Sequence, residues 1–190
     1  MKPHLRVLGI DDSPFSFKEE DVVVIGAAVR IPNYLEGVLK TTAKVDGKDA
    51  TDRLREMIKR SRYRENLAAI LMDGIAVGGF NVVDIEALNA ELGVPIATVT
   101  RKKPDLGSIE TALKARFSDW QKRLSLITRR EVHTIETKHK PLFVQVVGAK
   151  LSEIEKIIIK STVLGALPEP IRMAHLIATA VRTGESHGRA

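Results

Sequence analysis

The sequence predicts an α/β fold. The expected architecture is a mixed sheet of three hairpin-linked strands followed by crossover βα units, with helices on both faces and a small C-terminal α/β extension. Three observations carry this. Three apolar, β-branched runs precede residue 46 with only short turns between them. From residue 49 the apolar period becomes helical, and helices then alternate with short buried strands. The chain has 190 residues, 44% apolar and 28% charged, which suits a single domain over 1–190 with a core that needs no staples.

Residues 5–10 read as the first strand and 22–31 (VVVIGAAVRI) as the second. Residues 35–45 alternate loosely and make the third, entered through a turn at Asn33-Tyr34 after Pro32. Residues 49–60 place Leu54, Met57 and Ile58 on one helical face. Residues 67–72 form a short buried strand that ends at Asp73-Gly74. Asn81 is expected to cap a helix over 82–92, which Gly93 stops. Residues 95–100 are another strand, and 107–125 one helix with Ile109, Leu113, Phe117, Trp120 and Leu124 on a core-facing stripe. A hairpin of 131–137 and 142–147 surrounds Lys138-His139-Lys140-Pro141, helices follow at 151–164 and 169–182, and the tail 184–190 is expected to fray. The order β-β-β-α-β-α-β-α, followed by a smaller α/β segment, matches the ribonuclease H-like architecture.

Composition narrows the function. Without cysteine there is no disulfide, no thiolate metal site and no cysteine nucleophile, which fits a reducing cytoplasm. No apolar run approaches a membrane span, and Met1-Lys2-Pro3-His4 leads straight into a strand pattern without a signal-peptide core, so a cytoplasmic protein is expected. The net charge of +6 attracts polyanions. Basic clusters stand at residues 59–64, at Arg101-Lys102-Lys103 and at Lys138-His139-Lys140. Each alone is ordinary solvated surface; together they point to a nucleic-acid partner. Aromatic residues are only 4% of the chain, which argues against an extended stacking platform for single strands. No feature sets an oligomeric state.

The carboxylates are the chemical signal. Asp11 and Asp12 end the first strand and Asp73 ends the fourth, which lies beside it in this architecture. Open α/β sheets place ligands at the carboxyl ends of adjacent strands. Asp46, between the third strand and the first helix, is a third carboxylate able to approach. Three carboxylates in one crevice repel one another unless a hard divalent cation such as Mg²⁺ or Mn²⁺ binds, and such an ion supports phosphodiester hydrolysis. Each also has a local reading, because Asp-Gly and Asp-Ser-Pro are turn signals and Asp caps helices. Asp12 reads as a turn residue or an acceptor behind the site.

A resemblance sharpens this. "LPEPIRMAHLIA" (167–178) resembles the C-terminal motif of endonuclease V, Leu-Pro-Glu-Pro-x-Arg-x-Ala-His. "GID" ending at Asp11, "VDGKDATDRL" (45–54), "LMDGIA" (71–76) and "VPIATVTRKK" (94–103) resemble further motifs of that family in the same order. The whole chain resembles an uncharacterised, mainly archaeal family related to endonuclease V. The resemblance implies a ribonuclease H-like fold and Mg²⁺-dependent cleavage of nucleic acid. It assigns Asp11 and Asp73 to the metal, Asp46 to the place of a catalytic glutamate, His175 to the active-site histidine, and Arg101 or Lys102 to a lysine that faces phosphate. There are departures. Asp46 is one methylene shorter than glutamate, the aromatic wedge before it has no counterpart, and Val77-Gly78-Gly79-Phe80 replaces a His-Pro-Arg stretch. The missing parts read the substrate, so inosine specificity does not carry over.

Other candidates are weaker. Gly78-Gly79 reads as a structural turn rather than a phosphate loop, since no Gly-Lys-Ser/Thr follows. Ser13 lacks a nucleophile elbow. His4, His133, His139 and His187 have no ligand spacing and read as surface residues. Three functions remain open: a Mg²⁺-dependent nuclease using Asp11, Asp73, Asp46 and His175 with Arg101 and Lys102 on phosphate; a non-cleaving nucleic-acid-binding protein; and metal-dependent chemistry on a small nucleotide phosphoester.

Overall fold

The computed structural model describes residues 5–188, so His4 and residues 189–190 of the tail lie outside the described residues. β1 (Arg6–Asp12), β2 (Asp21–Arg30) and β3 (Tyr34–Lys44) form the antiparallel half of one sheet. β1 also pairs in parallel with β4 (Leu67–Asp73), which pairs in parallel with β7 (Ile96–Thr100). β9 (Leu142–Val147) adds antiparallel to β7, and β8 (His133–Ile135) closes the edge. The seven-stranded order is therefore β3-β2-β1-β4-β7-β9-β8. The C-terminal hairpin extends the main sheet rather than starting another, as its alternating Leu142, Val144 and buried Gln145 allow.

Strand alternation sorts the core between the two faces. On one face Leu8, Ile10, Val24, Ile70 and Met72 pack under α1 (Ala50–Lys59) and α2 (Ile85–Leu92). On the other, Val7, Ala69, Leu71 and Val99 meet α5 (Leu151–Ser161) and the start of α6 (Glu169–Thr183), and Ile25, Ala27 and Val29 meet its small residues Ala174 and Ala178. A third, smaller cluster joins the two-stranded hairpin β5 (Ala76–Val77) and β6 (Asn81–Val82) to α3 (Leu106–Arg116) and α4 (Trp120–Thr128). No helix of the described residues is long and apolar enough to cross a membrane.

Two expectations need correction. Asn81 does not cap a helix over 82–92. It lies buried in β6, accepting from Ala50 N–H and donating to the Lys44 carbonyl and to Asp49. Asp84 is the cap, accepting from the N–H groups of Glu86 and Ala87, and Gly93 ends the helix at φ 67°. The segment 107–125 is not one helix. It breaks at Phe117, which is extended, and restarts after Asp119, which binds Arg123 and Lys48. The apolar stripe runs across the break, so periodicity alone reads it as continuous.

The contact that places the site is between α6 and β1. Gly9 has no side chain because the helix backbone occupies that space. A Cβ there would lie 2.0 Å from the carbonyl carbon and oxygen of Pro170 and 2.5 Å from the Ile171 nitrogen. Gly9→Ala therefore forces α6 away from the sheet. The expected loss is about 1–3 kcal/mol, the usual range for overpacking, and denaturant unfolding of the two proteins measures it. Unchanged stability would mean that the helix does not rest on Gly9.

Candidate metal centre

The register of β1 against β4 pairs Ile10 with Met72, and one further step sets Asp11 beside Asp73. Both side chains point to the α6 face, as Val7 and Leu71 do. From Gly9 to Asp11 the strand advances about 6.6 Å, and from Ile171 to His175 the helix advances about 6 Å. The two motifs "GID" and "PIRMAH" are thus in step, and His175 Nδ1 meets Asp11 Oδ2 at 2.8 Å. Asp11 is only 6% exposed, and its other oxygen accepts from the Asp12 N–H at 2.8 Å. Behind the helix start, Glu169 is buried and holds Arg172 through contacts of 2.6–3.0 Å. It also accepts from Leu164 N–H, which ties the preceding loop to α6.

The adjacent Asp12 points to the opposite face and accepts from the Gly78 N–H at 2.7 Å. That bond occupies the backbone donor a phosphate would need, so Gly78-Gly79 is a structural turn. Both glycines have positive φ, 55° and 87°, and a Cβ on Gly79 would strike Asp46 Oδ1 at 2.4 Å.

Charge at the strand ends is poorly compensated. No hydrogen bond reaches the Asp73 carboxylate from any of the described residues. Burial, with the Asp11 charge adding to it, pushes the Asp73 carboxyl up to about 6, against the pull of Arg101 and His175. Burial likewise pushes Asp12 up to about 6, opposed by Gly78 N–H and reinforced by Asp11. The hydrogen bond to Asp11 holds the His175 imidazole above its usual value, with the charges of Asp11 and Asp73 adding to the effect.

The structure therefore brings together Asp11, Asp73, His175 and Arg101. It pairs Asp46 elsewhere, contrary to the expectation of three converging carboxylates. Asp46 sits at φ 54°, its N–H donates to the Gly78 carbonyl, and its carboxylate accepts from Phe80 N–H and pairs with Arg116. The short side chain has its oxygens committed to that turn. Among the described residues no three His, Asp or Glu side chains group so as to hold a metal ion. The Asp11–Asp73 pair nonetheless fits a hard cation: two oxygen donors of like charge lie side by side, and one of them has no donor of its own.

A cavity of about 1120 Å³ opens from Asp73. Ile75, Phe80, Ile109 and Phe143 belong to its apolar part, and both basic clusters, Arg101-Lys102-Lys103 and Lys138-His139-Lys140, line it. Among the described residues, Arg101, Lys102, Lys103, Lys138 and Lys140 form no salt bridge, and Arg101 acts on Asp73 through charge alone. Elsewhere Arg116, Arg123, Arg129, Arg130 and Arg172 are all ion-paired. Sequence reasoning missed Arg123, a buried arginine that bonds the Gly47 and Phe80 carbonyls and holds the turn. It also left Glu169 without a role. The i, i+3 spacing of Glu169 and Arg172 behind a proline was the available signal.

The model of the family described as Endonuclease dU matches residues 3–182. The chain belongs to the Endonuclease dU family. Family relatives are similar along their whole length. A UPF0215 protein of Methanothermobacter thermautotrophicus is 45% identical, over 100% of this chain and 94% of the relative. A crystal structure of an Archaeoglobus fulgidus protein of unknown function superposes with a TM-score of 0.85 at 36% identity, covering 95% of this chain and 99% of that one. Endonuclease V of Bacillus subtilis reaches a TM-score of 0.63 at 14% identity, over 94% of this chain and 81% of its own. Endonuclease V of Ciona intestinalis, solved in complex with a 24mer DNA containing an inosine, reaches 0.58 at 18% identity, over 92% and 84%. The relation of this Endonuclease dU member to endonuclease V, expected from motif order, holds for the fold.

The carboxylates predict a pH dependence. Asp73 and Asp12 have raised folded pKa values, so the folded state binds more protons than the unfolded one between pH 3.8 and about 6. Stability without added cation falls as pH rises through that window. His175, also raised, contributes fully below its unfolded value of 6.5 and loses its contribution as pH rises through its folded value. Asp73→Asn in chelator-treated buffer is expected to stabilise the chain at pH 7.5 by roughly 1–3 kcal/mol, allowing for part exposure, with no gain at pH 3.5. Urea unfolding at both pH values checks this, and an equal effect at both would contradict it.

Proposed function

We propose that this protein hydrolyses phosphodiester bonds in nucleic acid with a divalent cation held by Asp11 and Asp73. The observation that supports it best is the Asp11–Asp73 pair at adjacent strand ends, where the Asp73 carboxylate receives no hydrogen bond from the described residues and faces a cavity also lined by Arg101, Lys102, Lys103, Lys138 and Lys140. Mg²⁺ or Mn²⁺ bound there supplies charge neutralisation at the phosphate and a more acidic water. The protein's own groups do the rest. Arg101 and Lys102, exposed at the cleft rim, hold and orient the substrate phosphate. His175, tied to Asp11 through Nδ1, is fixed in orientation and leaves Nε2 to hold or release a proton beside the carboxylate pair. Its raised pKa suits a group that carries a proton near neutral pH. Asp46 acts in this reading as a positioning residue: it holds the Gly78–Phe80 turn that carries the Asp12 contact.

The family description, Endonuclease dU, and the inosine-containing DNA of the endonuclease V complex both name deaminated bases. DNA containing deoxyuridine is therefore the first substrate to try. The test is cleavage of a panel of DNA and RNA oligonucleotides, with and without deoxyuridine and inosine, in Mg²⁺ and in Mn²⁺. Metal-dependent cleavage of at least one substrate is expected, falling to background in Asp11→Asn and Asp73→Asn. His175→Asn, a change beside the centre rather than in it, is expected to lower the rate about 10- to 100-fold. Failure to cut any member of the panel would sink the nuclease reading.

One observation favours a second reading. Because Asp46 is paired with Arg116 and no three-group cluster forms among the described residues, a protein that binds nucleic acid without cutting it fits the same cleft. That reading expects salt-sensitive oligonucleotide binding that survives Asp73→Asn in every metal. Cleavage would exclude it.

A further inference from the structure

We propose that Phe17, with Arg116 lying on its ring, forms a stacking site for one unpaired nucleobase beside the Gly79 turn that lines the carboxylate cleft. This rests on the nucleic-acid reading above and goes beyond it by naming what receives a base. Phe17 lies in the loop that leaves the carboxylate end of β1, and it is 62% exposed. It is one of only five phenylalanines in the chain. Exposing so large an apolar ring forgoes its burial, so an occupant that covers it is favoured.

The ring is held in place. It meets Phe15 edge-to-face, with centroids 5.4 Å apart and planes at 84°. The Arg116 guanidinium lies 4.6 Å from its centroid, and the same guanidinium pairs with Asp46. A Cβ on Gly79 would come within 3.2 Å of Phe17 Cε1, so the ring stands against the turn that lines the cleft. Phe17 and the Arg116 guanidinium on its ring thus stand beside Gly79, which lines the same cavity as Asp73.

The chemistry matches a nucleotide. Every base presents a π face, so a single ring stacks any of them, and a cation beside the ring serves the adjoining phosphate. The low aromatic content rules out a long platform, and one ring is the whole of this site. Because Arg116 is shared between the ring and Asp46, a base and phosphate arriving here compete for the guanidinium that now holds that carboxylate.

Binding of a short single-stranded DNA, of its RNA equivalent and of an abasic strand of equal length tests this, by fluorescence anisotropy across a range of salt. The proteins are the full-length chain and Phe17→Ala, Phe17→Leu, Phe17→Trp and Lys138→Ala. Phe17→Ala and Phe17→Leu are expected to weaken base-containing strands about tenfold with an unchanged salt slope, and to leave the abasic strand unaffected. Phe17→Trp retains affinity. Lys138→Ala instead shallows the salt slope by about 0.7, the signature of one lost phosphate contact on a single strand. Phe17→Leu keeps apolar bulk under Arg116, which separates lost stacking from a disturbed loop. If both Phe17→Ala and Phe17→Leu bind like the parent, or if the abasic strand suffers the same loss, the stacking site is overturned while the nucleic-acid reading stands. If the parent protein binds no strand even at low salt, the nucleic-acid reading falls and takes the stacking site with it.

Discussion

The absence of a side chain at Gly9 lets the backbone of α6 rest directly on β1, and the rest of the site depends on that contact. Helix and strand then advance in step, so His175 arrives over Asp11 one helical turn later. Ala174 and Ala178 continue the same logic across β2, where small side chains keep the helix close to the sheet. Glu169 and Arg172 pin the start of the helix from the other side. A larger residue at position 9 would leave both chemical motifs intact in sequence and separate them in space.

The core and the strand ends follow opposite rules. In the core, alternation buries Leu8, Ile10, Val7 and Leu71 completely, and this drives folding. At the strand ends the same alternation sends two neighbouring carboxylates to opposite faces. Asp11 finds an imidazole, Asp12 a backbone N–H, and Asp73 finds neither. The raised pKa values of Asp12 and Asp73 mark this as a place where stability is sacrificed, and such places are concentrated where proteins bind or react.

Surface charge is sorted in the same way. Arg116, Arg123, Arg129, Arg130 and Arg172 are tied to acids, and Arg123 is buried and bonds backbone carbonyls as well. Among the described residues, five cations without a salt bridge, Arg101, Lys102, Lys103, Lys138 and Lys140, line the cavity that opens from Asp73. The cleft lies at the carboxyl ends of the parallel strands β4 and β7, the usual ligand position of open α/β sheets. The fold is shared with endonuclease V, and a shared fold does not by itself set the substrate.

The sequence by itself determined the strand and helix order, the two core faces and the chemical candidates Asp11, Asp73 and His175. Those depend on local periodicity and on short motifs, which are written in consecutive residues. The helix break at Phe117, the role of Asn81 and the pairing of Asp46 with Arg116 were decided only by tertiary structure. Asn81 has the chemistry of a cap, but its partners Ala50, Lys44 and Asp49 lie about thirty residues away along the chain. Asp46 matches a motif by position, yet its carboxylate is claimed by an arginine seventy residues downstream. Phe17 carries no local signal, and only the packed structure shows its exposed ring held beside Gly79 by Phe15 and Arg116. A local pattern limits what a side chain can do, but the groups that compete for it come from distant parts of the chain, and only the packed structure decides which of them prevails.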